Sequence, residues 1–477
     1  MKLKLLLYTV LALFIILTLG GFLALRNLNI EQAIDETRTV YIKNSDEGYQ
    51  LIRNGKPFFI KGAGGDSHFK ELAEIGGNTI RVFDTSNLQE KLDEAHRHNL
   101  AVIVDIYIPS YSKAYNLYED EKENEILKQE IRDLVHQHKD HPALLIWNLG
   151  NEINYPLVFR KNDFIRTFNE IVSMIQEIDP NHPVSTSIIG VGRKTMSSIY
   201  IHSPDLDLIS FNTFGNTRFI NSHLAQISLL FGSRPYFFSE YGPNGPWESS
   251  STSWGAPIEE TSTVKSERIS ARFNRINNID DGANLGSLMF YWGNKLERTH
   301  TWFSLFKDEY KSESVKVLEN LWNQSESSTN ESEVDYILAN TQDLQANNSI
   351  SQDASNQSGI SPELIGLDYM LVSDKQVHEN VIFAPGELSH AEVFFHENSD
   401  ESLRIDWEIY PEAWYSDTSE IVLNSYTPID SFVNFEKNRA TFHAPVTEGP
   451  YRIFAYIYNQ DGFFATTNTP FYVITNK

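Results

Sequence analysis

Between residues 58 and 292, short apolar runs alternate with stretches in which apolar residues recur every three to four positions. The runs are rich in β-branched and aromatic residues, as in AVIVDIYI, which is typical of strands buried on both faces. The stretches Leu88–His98 and Phe164–Ile178 each place their apolar residues on one helical face. Eight such pairs over about 260 residues predict a (β/α)8 TIM barrel, with an open doubly wound sheet as the alternative that periodicity leaves open. The predicted strands are Phe58–Gly64, Thr79–Asp84, Ala101–Ile108, Ala143–Asn148, Val184–Ile189, Leu206–Asn212, Tyr236–Glu240 and Gly286–Trp292.

The carboxy-terminal region follows a different pattern. Residues 325–358 are dominated by Ser, Asn, Gln, Asp and Glu, a composition too polar to bury a core, which predicts a linker. After it, apolar residues alternate with period two in short segments separated by turn residues, including the pair Asp461-Gly462. We therefore predict a β-sandwich of immunoglobulin-like type over residues 359–477, preceded by a barrel domain with a short lead-in over residues 29–324.

The amino terminus is apolar over a length that suits a membrane. From Leu5 to Leu25 the chain is almost wholly apolar, and at about 1.5 Å per helical residue this covers the ~30 Å hydrocarbon core of a bilayer. Lys2 and Lys4 precede the run, which favours a cytoplasmic amino terminus. The pattern predicts a single-pass transmembrane anchor within residues 1–28, with the remaining chain outside the cytoplasmic membrane. A secreted protein released by signal cleavage is the alternative.

Composition limits the classes of partner. A formal net charge of −25 repels phosphate backbones, so we expect no nucleic-acid partner. The absence of cysteine excludes disulfides, cysteine-ligated zinc and a thiol nucleophile. The histidines of the HQHKDH segment end a predicted helix, where they face the negative end of its dipole, so we expect neither a metal nor another cofactor.

Polar residues follow two of the predicted strands at the point where each strand ends. The fourth strand, ALLIWNLGNE, runs into Asn148, Asn151 and Glu152, and the seventh, PYFFSEYG, ends in Ser239 and Glu240. The carboxyl ends of barrel strands form the active site in barrel enzymes. Cleavage of a glycosidic bond with retention needs a carboxylic acid and a carboxylate nucleophile about 5–5.5 Å apart, which opposed strands can supply. The residues alone do not decide which glutamate has which role.

The motifs WNLGNE, FSEYG, NGKPFFIKG, GGNTIRVFD and LDLISFNTFG resemble the barrel domain of glycoside hydrolase family 2 and related clan A retaining glycosidases. The resemblance extends from Asn54 to Trp322. It implies that Glu152 is the general acid/base and Glu240 the nucleophile. It departs from the family at Phe214, where a tyrosine is common.

The resemblance and the strand ends together also predict residues that bind substrate. The resemblance implies that Arg81 orients Glu240, that Asn151 binds the sugar 2-hydroxyl and that Trp292 forms the floor of the first subsite. Asn212, which ends the sixth strand, is predicted to bind substrate as well. Aromatic residues in the loops after strands three and seven are candidates for stacking on sugars, and we favour Tyr107 and Trp247. The full set of aromatic candidates is Tyr107, Tyr111, Tyr115, Trp247 and Trp254.

These observations predict a retaining hydrolase that acts on a β-linked oligo- or polysaccharide outside the cytoplasmic membrane by double displacement. The β linkage is implied by the resemblance alone. We expect Glu240 to stay ionised beside Arg81, and Glu152 to be held protonated by the like charge nearby and by burial. A transglycosylase using the same residues, or a non-catalytic glycan-binding or envelope-assembly protein, are the alternatives.

Overall fold

The computed structural model describes residues 20–21, 36–323, 364–396, 402–412 and 427–475. The chain divides into two compact units. The first unit comprises residues up to Ala73, Gly77–Glu240 and Ile276–Leu288, and the second comprises Glu74–Gly76, Tyr241–Arg275 and the residues from Met289 onward. The predicted anchor lies outside the described residues except for the helical pair Gly20 and Gly21, and the predicted linker lies wholly outside them. Within the described part of the chain, no helix combines the length and the apolar character needed to cross a membrane.

Eight parallel strands close into a barrel, which confirms the predicted TIM barrel and excludes the open sheet. A small antiparallel sheet of β1 Val40–Ser45, β2 Gly48–Arg53 and β3 Lys56–Pro57 precedes it. The barrel strands are β4 Ile60–Gly65, β5 Thr79–Val82, β6 Ala101–Ile106, β7 Leu144–Asn151, β8 Val184–Ile189, β9 Leu208–Asn212, β10 Tyr236–Tyr241 and β11 Asn284–Trp292. The accompanying helices are α1 Phe69–Glu74, α2 Leu88–Arg97, α3 Tyr111–Glu119, α4 Glu121–His138, α5 Asp163–Ile178, α6 Arg193–His202, α7 Ile220–Phe231 and α8 Ser262–Asn277.

The interior of the barrel changes from apolar to polar along the strands. Side chains alternate along a strand, so Ala101, Ile103 and Asp105 point to the same side of β6. The first two belong to an apolar cluster that also contains residues from the other strands, and the third reaches the polar residues at the carboxyl end. The apolar cluster therefore forms a packed layer beneath the polar site.

Close packing between β4 and β5 depends on a glycine. A Cβ placed on Gly62 would lie 1.8 Å from the carbonyl oxygen of Thr79. No side chain fits there, so strand packing explains the glycine at position 62, the first of the GAGG sequence of β4.

Two helices of the first unit, α4 and α5, start at a residue whose side chain caps the helix. The Asp120 carboxylate accepts hydrogen bonds from the backbone N–H groups of Lys122 and Glu123 at the start of α4. The Asn162 side chain accepts from Ile165 N–H at the start of α5. Such caps typically contribute about 1 kcal/mol each. The predicted apolar face of α5 is buried, including Phe164, Phe168, Ile171 and Ile175.

The second unit contains two β-sheets that share an apolar core, which agrees with the predicted sandwich. The core takes Leu367 and Val393 from one sheet and Ile453 and Val473 from the other. The four-stranded sheet has the order β16 Leu367–Val372, β18 Leu388–Phe395, β21 Arg439–His443 and β20 Phe432–Glu436. The other sheet has the order β14 Phe306–Lys307, β15 Tyr310–Ser312, β23 Phe463–Val473, β22 Gly449–Tyr458 and β19 Arg404–Pro411, with β17 Val381–Phe383 paired to β23. The unit also contains a hairpin of β12 Asn294–Glu297 and β13 Thr299–Ser304, and the helix α9 Glu313–Asn323.

The boundary of this unit differs from the predicted one. The strands β14 and β15 precede the predicted linker, yet β15 pairs in parallel with β23 through Lys311 and Phe463. Strand pairing is long-range, and the sequence pattern around residues 306–312 gives no indication of the partner.

Candidate active site

Polar side chains from five barrel strands meet at the carboxyl end of the first unit. They are Arg81 from β5, Asp105 from β6, Asn148 and Asn151 from β7, Asn212 from β9 and Glu240 from β10, joined by Glu152 directly after β7. Each follows an apolar strand segment, as the sequence predicted. The structure thus brings Glu152 and Glu240, with their predicted partners Arg81, Asn151 and Asn212, into one hydrogen-bonded group.

The guanidinium of Arg81 is at the centre of this group. It is fully buried and donates to Asp105 through Nε, at 2.9 Å from Oδ1, and through Nη2, at 2.7 Å from Oδ2. Nη1 lies 2.9 Å from Glu240 Oε1, and Nη2 lies 2.8 Å from Asn151 Oδ1. Charge-assisted, bidentate contacts of this kind are short and directional. Arg81 therefore fixes the orientation of both carboxylates, as the resemblance implied for Glu240.

Two buried carboxylates face this single guanidinium. Burial lowers the pKa of Arg81, but the charges and hydrogen bonds of Asp105 and Glu240 outweigh that effect, and the pKa lies above its ordinary value. Arg81 is consequently charged at any working pH. Its charge stabilises the ionised form of Glu240, which is only 5% exposed.

Glu152 has a different environment. Glu152 is exposed to solvent, so the prediction that it is buried is wrong. Its backbone adopts φ 52°, in the left-handed region that costs a non-glycine residue about 1 kcal/mol or more. The Glu152 N–H donates to Ser187 O at 3.0 Å, and Oε1 accepts from Asn212 Nδ2 at 3.0 Å. These contacts hold the carboxylate over the polar group while leaving it open to solvent.

The amide of Asn212 connects the two glutamates. Nδ2 donates to Glu152 Oε1 and also to Asn151 Oδ1, both at 3.0 Å. Oδ1 lies 3.4 Å from Arg81 Nη1, the atom that donates to Glu240. The side chain of Asn151 is exposed, and its Oδ1 already accepts from Asn212 and Arg81. Its NH2 group is therefore the group that can donate to a ligand.

Hydroxyl groups beneath the carboxylates were not predicted. Asn148 Nδ2 lies 2.8 Å from Asp105 Oδ1 and 2.9 Å from Ser187 Oγ. Ser185 Oγ donates to Asn148 Oδ1 at 2.8 Å, and Ser187 and Ser210 hydroxyls lie 2.8 Å apart. The VSTSII sequence carried part of the signal, because two serines at period two put hydroxyls on one face of the strand without showing whether that face points inward.

The predicted aromatic residues of the first unit have different surroundings. Tyr107 directly follows β6 and is 77% exposed. The ring of Tyr111 packs against Phe164 at 5.7 Å, so Tyr111 contributes to packing. The side chain of Tyr115 lies outside the described residues. Phe214, at the position where a family tyrosine is common, is buried.

In the second unit, Trp247 is 59% exposed and its ring lies 6.4 Å from that of Phe303. Trp254 packs on Tyr472 at 5.8 Å. Trp292 is fully buried, and its ring lies 5.3 Å from Phe306. A ring without an exposed face does not support the predicted role of Trp292 as a subsite floor, whereas stacking by Tyr107 and Trp247 stays a prediction. Among the residues that the structure describes, no group of three or more His, Asp or Glu side chains could hold a metal ion.

Residues 73–245, which include both glutamates, match the sequence model described as "Glycosyl hydrolases family 2, TIM barrel domain". The chain is 24% identical over 229 residues to a beta-glucuronidase of Felis catus, covering 41% of this chain and 32% of the relative. It is 26% identical over 230 residues to mannan endo-1,4-beta-mannosidase F of Aspergillus clavatus, covering 38% and 50%. A beta-D-glucuronidase structure from Dictyoglomus thermophilum aligns with a TM-score of 0.46 at 20% identity, covering 61% of this chain and 54% of that one. The matched region therefore spans half or less of the length of both curated relatives.

Proposed function

We propose that the protein is a retaining hydrolase of β-linked glycans. The predicted resemblance to glycoside hydrolase family 2, confirmed over residues 73–245, supports the proposal. The observation that carries the proposal is the series of side-chain contacts that connects the two carboxylates. Glu240 bonds to Arg81, Arg81 contacts Asn212, and Asn212 bonds to Glu152. Both acids thus belong to one hydrogen-bonded group at the carboxyl end of the barrel, and on this ground we propose that they act on one anomeric centre.

The environments of the two glutamates support distinct roles. A nucleophile must be ionised and fixed in direction, which suits the buried Glu240 beside Arg81. An acid/base must gain and lose a proton in each turnover, which suits the solvent-exposed Glu152. The geometry thus favours the same assignment that the resemblance implied.

The proposed reaction has two steps. First, a Glu240 oxygen attacks the anomeric carbon while Glu152 gives its proton to the leaving oxygen, so the glycosidic bond breaks and a glycosyl ester forms. Next, the Glu152 carboxylate takes a proton from water, whose oxygen attacks the same carbon and releases Glu240. The NH2 group of Asn151 is placed to donate to a sugar hydroxyl during both steps. The product keeps the β configuration, and both glutamates return to their starting state.

From the sequence we also propose where the protein resides in the cell and which type of fold the second unit has. The apolar run Leu5–Leu25 supports a single-pass anchor in the cytoplasmic membrane, with the barrel outside the cytoplasm. The alternation after residue 359 supports an immunoglobulin-like sandwich. Protease protection of the carboxy terminus in intact cells would contradict the proposed orientation.

A mechanism-based label tests the function. The protein is incubated with 2-fluoro β-glycosides carrying a dinitrophenyl leaving group, beginning with glucuronide and mannoside because those sugars occur in the names of the relatives. We expect a mass increase of one fluoroglycosyl group on the peptide that contains Glu240. Glu240→Gln should take up no label, and the matched control Glu177→Gln, an exposed residue of α5, should be labelled like the natural protein.

The alternatives give different results. Absence of labelling and of hydrolysis across a broad panel of sugars, with glycan binding retained, would replace the proposal by a non-catalytic glycan-binding role. Labelling combined with glycosyl transfer to added sugar acceptors in place of water would identify a transglycosylase.

A further inference from the structure

Two exposed apolar side chains lie on either side of the strand that carries Glu152. Strand β7 pairs with β6 on one side and with β8 on the other. Tyr107 directly follows β6 and is 77% exposed, and Ile189 ends β8 and is 66% exposed. Both side chains leave apolar surface open to solvent beside the same strand, where a bound ligand could contact it.

The alternation of side chains indicates where they point. Asp105 and Ser187 both accept hydrogen bonds from Arg81 inside the barrel. Ile189 comes two residues after Ser187 within β8 and therefore shares its face, while Tyr107 comes two residues after Asp105 and is the first residue beyond β6. Ile189 thus lies one layer above Arg81, on the open side of the site, and Tyr107 lies at the carboxyl end of β6.

Backbone contacts place Ile189 next to Glu152. The Glu152 N–H donates to Ser187 O at 3.0 Å, two residues before Ile189. Ile189 is in register with Asn212, whose amide donates to the Glu152 carboxylate. The following residue, Gly190, has no atom within 4 Å of the position where a Cβ would project, so space is open there.

Tyr107 borders the same segment from the other side. Ile106 is in register with Leu149, so Tyr107 comes alongside Gly150 and Asn151, the last residues of β7, which lead to Glu152. The register therefore places the segment that leads to Glu152 between the strand ends that carry Tyr107 and Ile189, both of which are exposed.

We propose that Tyr107 and Ile189 form an apolar wall that binds the leaving group and selects a leaving group with an apolar face, such as an aryl aglycone. This inference rests on the proposed function. The acid gives its proton to the leaving oxygen, so the leaving group must lie on the Glu152 side of the bond that breaks. Ile189 offers no hydrogen-bonding atom, and an aliphatic surface gains more from covering an aryl ring than from a hydroxylated sugar.

The experiment compares two leaving groups on one sugar. Phenyl and methyl β-glycosides of glucuronic acid and of mannose are assayed with the natural protein, Ile189→Ser and Tyr107→Ser. The difference in intrinsic reactivity between the two leaving groups cancels when the phenyl-to-methyl ratio of kcat/KM is compared between variants. We expect each substitution to lower this ratio about fivefold, since one apolar contact to the ring is lost. The control Leu229→Ser, at a residue of α7 that is 64% exposed, should leave the ratio unchanged.

The outcomes separate the inference from the function. An active protein whose ratio does not change in either variant would overturn the wall and leave the hydrolase intact. An equal loss for both glycosides would also overturn it, because the side chains would then act by aligning Glu152. If neither glucuronic acid nor mannose is accepted, the phenyl and methyl pair is made on the sugar that the broad panel identifies. A protein that cleaves no sugar of that panel and takes up no 2-fluoro label would refute the proposed function, and the wall with it.

Discussion

Removal of the Glu152 carboxyl group should separate the two steps of the reaction. In the structure this side chain is exposed and accepts a hydrogen bond from Asn212. Glu152→Gln keeps the size of the side chain and an oxygen that can accept the same bond. We therefore expect its free energy of unfolding to change by less than about 0.5 kcal/mol. Any loss of activity then reports on chemistry.

The size of the fall in kcat/KM depends on the leaving group of the substrate. A positioned general acid contributes about 10²- to 10⁴-fold, so kcat/KM for a phenyl glycoside should fall by that factor in Glu152→Gln. A 2,4-dinitrophenyl glycoside leaves without a proton, so its kcat/KM should fall less than about threefold. The second step still lacks its base. For the activated substrate we expect kcat and KM to fall together as the glycosyl ester on Glu240 accumulates.

Stopped-flow absorbance with the dinitrophenyl glycoside measures both effects. Glu152→Gln should release a burst of about one dinitrophenolate per active site, followed by slow turnover. In Glu152→Ala, added azide should restore turnover and give a β-glycosyl azide, because the anion needs no base. Glu240→Ala should show no burst. Equal losses for phenyl and dinitrophenyl substrates, without a burst, would refute the assignment of Glu152 as acid/base.

Three further predictions concern stability. Arg81→Met should cost about 3–5 kcal/mol in urea unfolding because two buried carboxylates lose their cation, and the double variant with Asp105→Asn should recover part of the loss. An unchanged midpoint would contradict this account. The pKa of Glu267 is raised to about 7 by burial and the nearby charge of Glu313, so the folded state holds this proton more tightly and stability falls as pH rises from about 4.5 to about 7. In chemical denaturation, the free energy of unfolding of Glu267→Gln should therefore exceed that of the natural protein by up to about 3 kcal/mol at pH 8 and equal it near pH 4. A difference in this free energy that grows toward low pH would contradict the prediction. Glu152→Gly should be about 1 kcal/mol more stable than Glu152→Ala because the left-handed backbone suits glycine, and the opposite order in urea melts would show that the backbone is not left-handed there.

The barrel could be predicted because its strands are buried on both faces. Each predicted strand matches an observed one to within three residues at either end. Runs such as AVIVDIYI contain no polar residue until the strand nears its end, and the polar residues at that point mark the mouth of the barrel. The positions of Glu152 and Glu240 at the site followed from this pattern alone.

The details of the site could not be predicted in the same way. When a strand is buried on both faces, its sequence does not say which side chains point inward, so the hydroxyls of Ser187 and Ser210 were missed. The exposure of Glu152 depends on a left-handed turn that no residue type at that position signals. The burial of Trp292 depends on Phe306, a partner from another part of the chain.

The features that resist prediction are also those that reduce stability. Arg81 is outnumbered by the buried carboxylates of Asp105 and Glu240, and Glu152 occupies a backbone conformation that favours glycine. Selection for folding alone would remove an excess buried charge and a strained glutamate, since substitutions that relieve either are readily available. Both costs occur at the site, where the strained backbone belongs to Glu152 and the surplus carboxylate is that of Asp105 or Glu240, while the apolar layer beneath the site shows neither. At the carboxyl end of this barrel the two costs coincide on the proposed catalytic pair, which is the pattern expected where strain is kept for function.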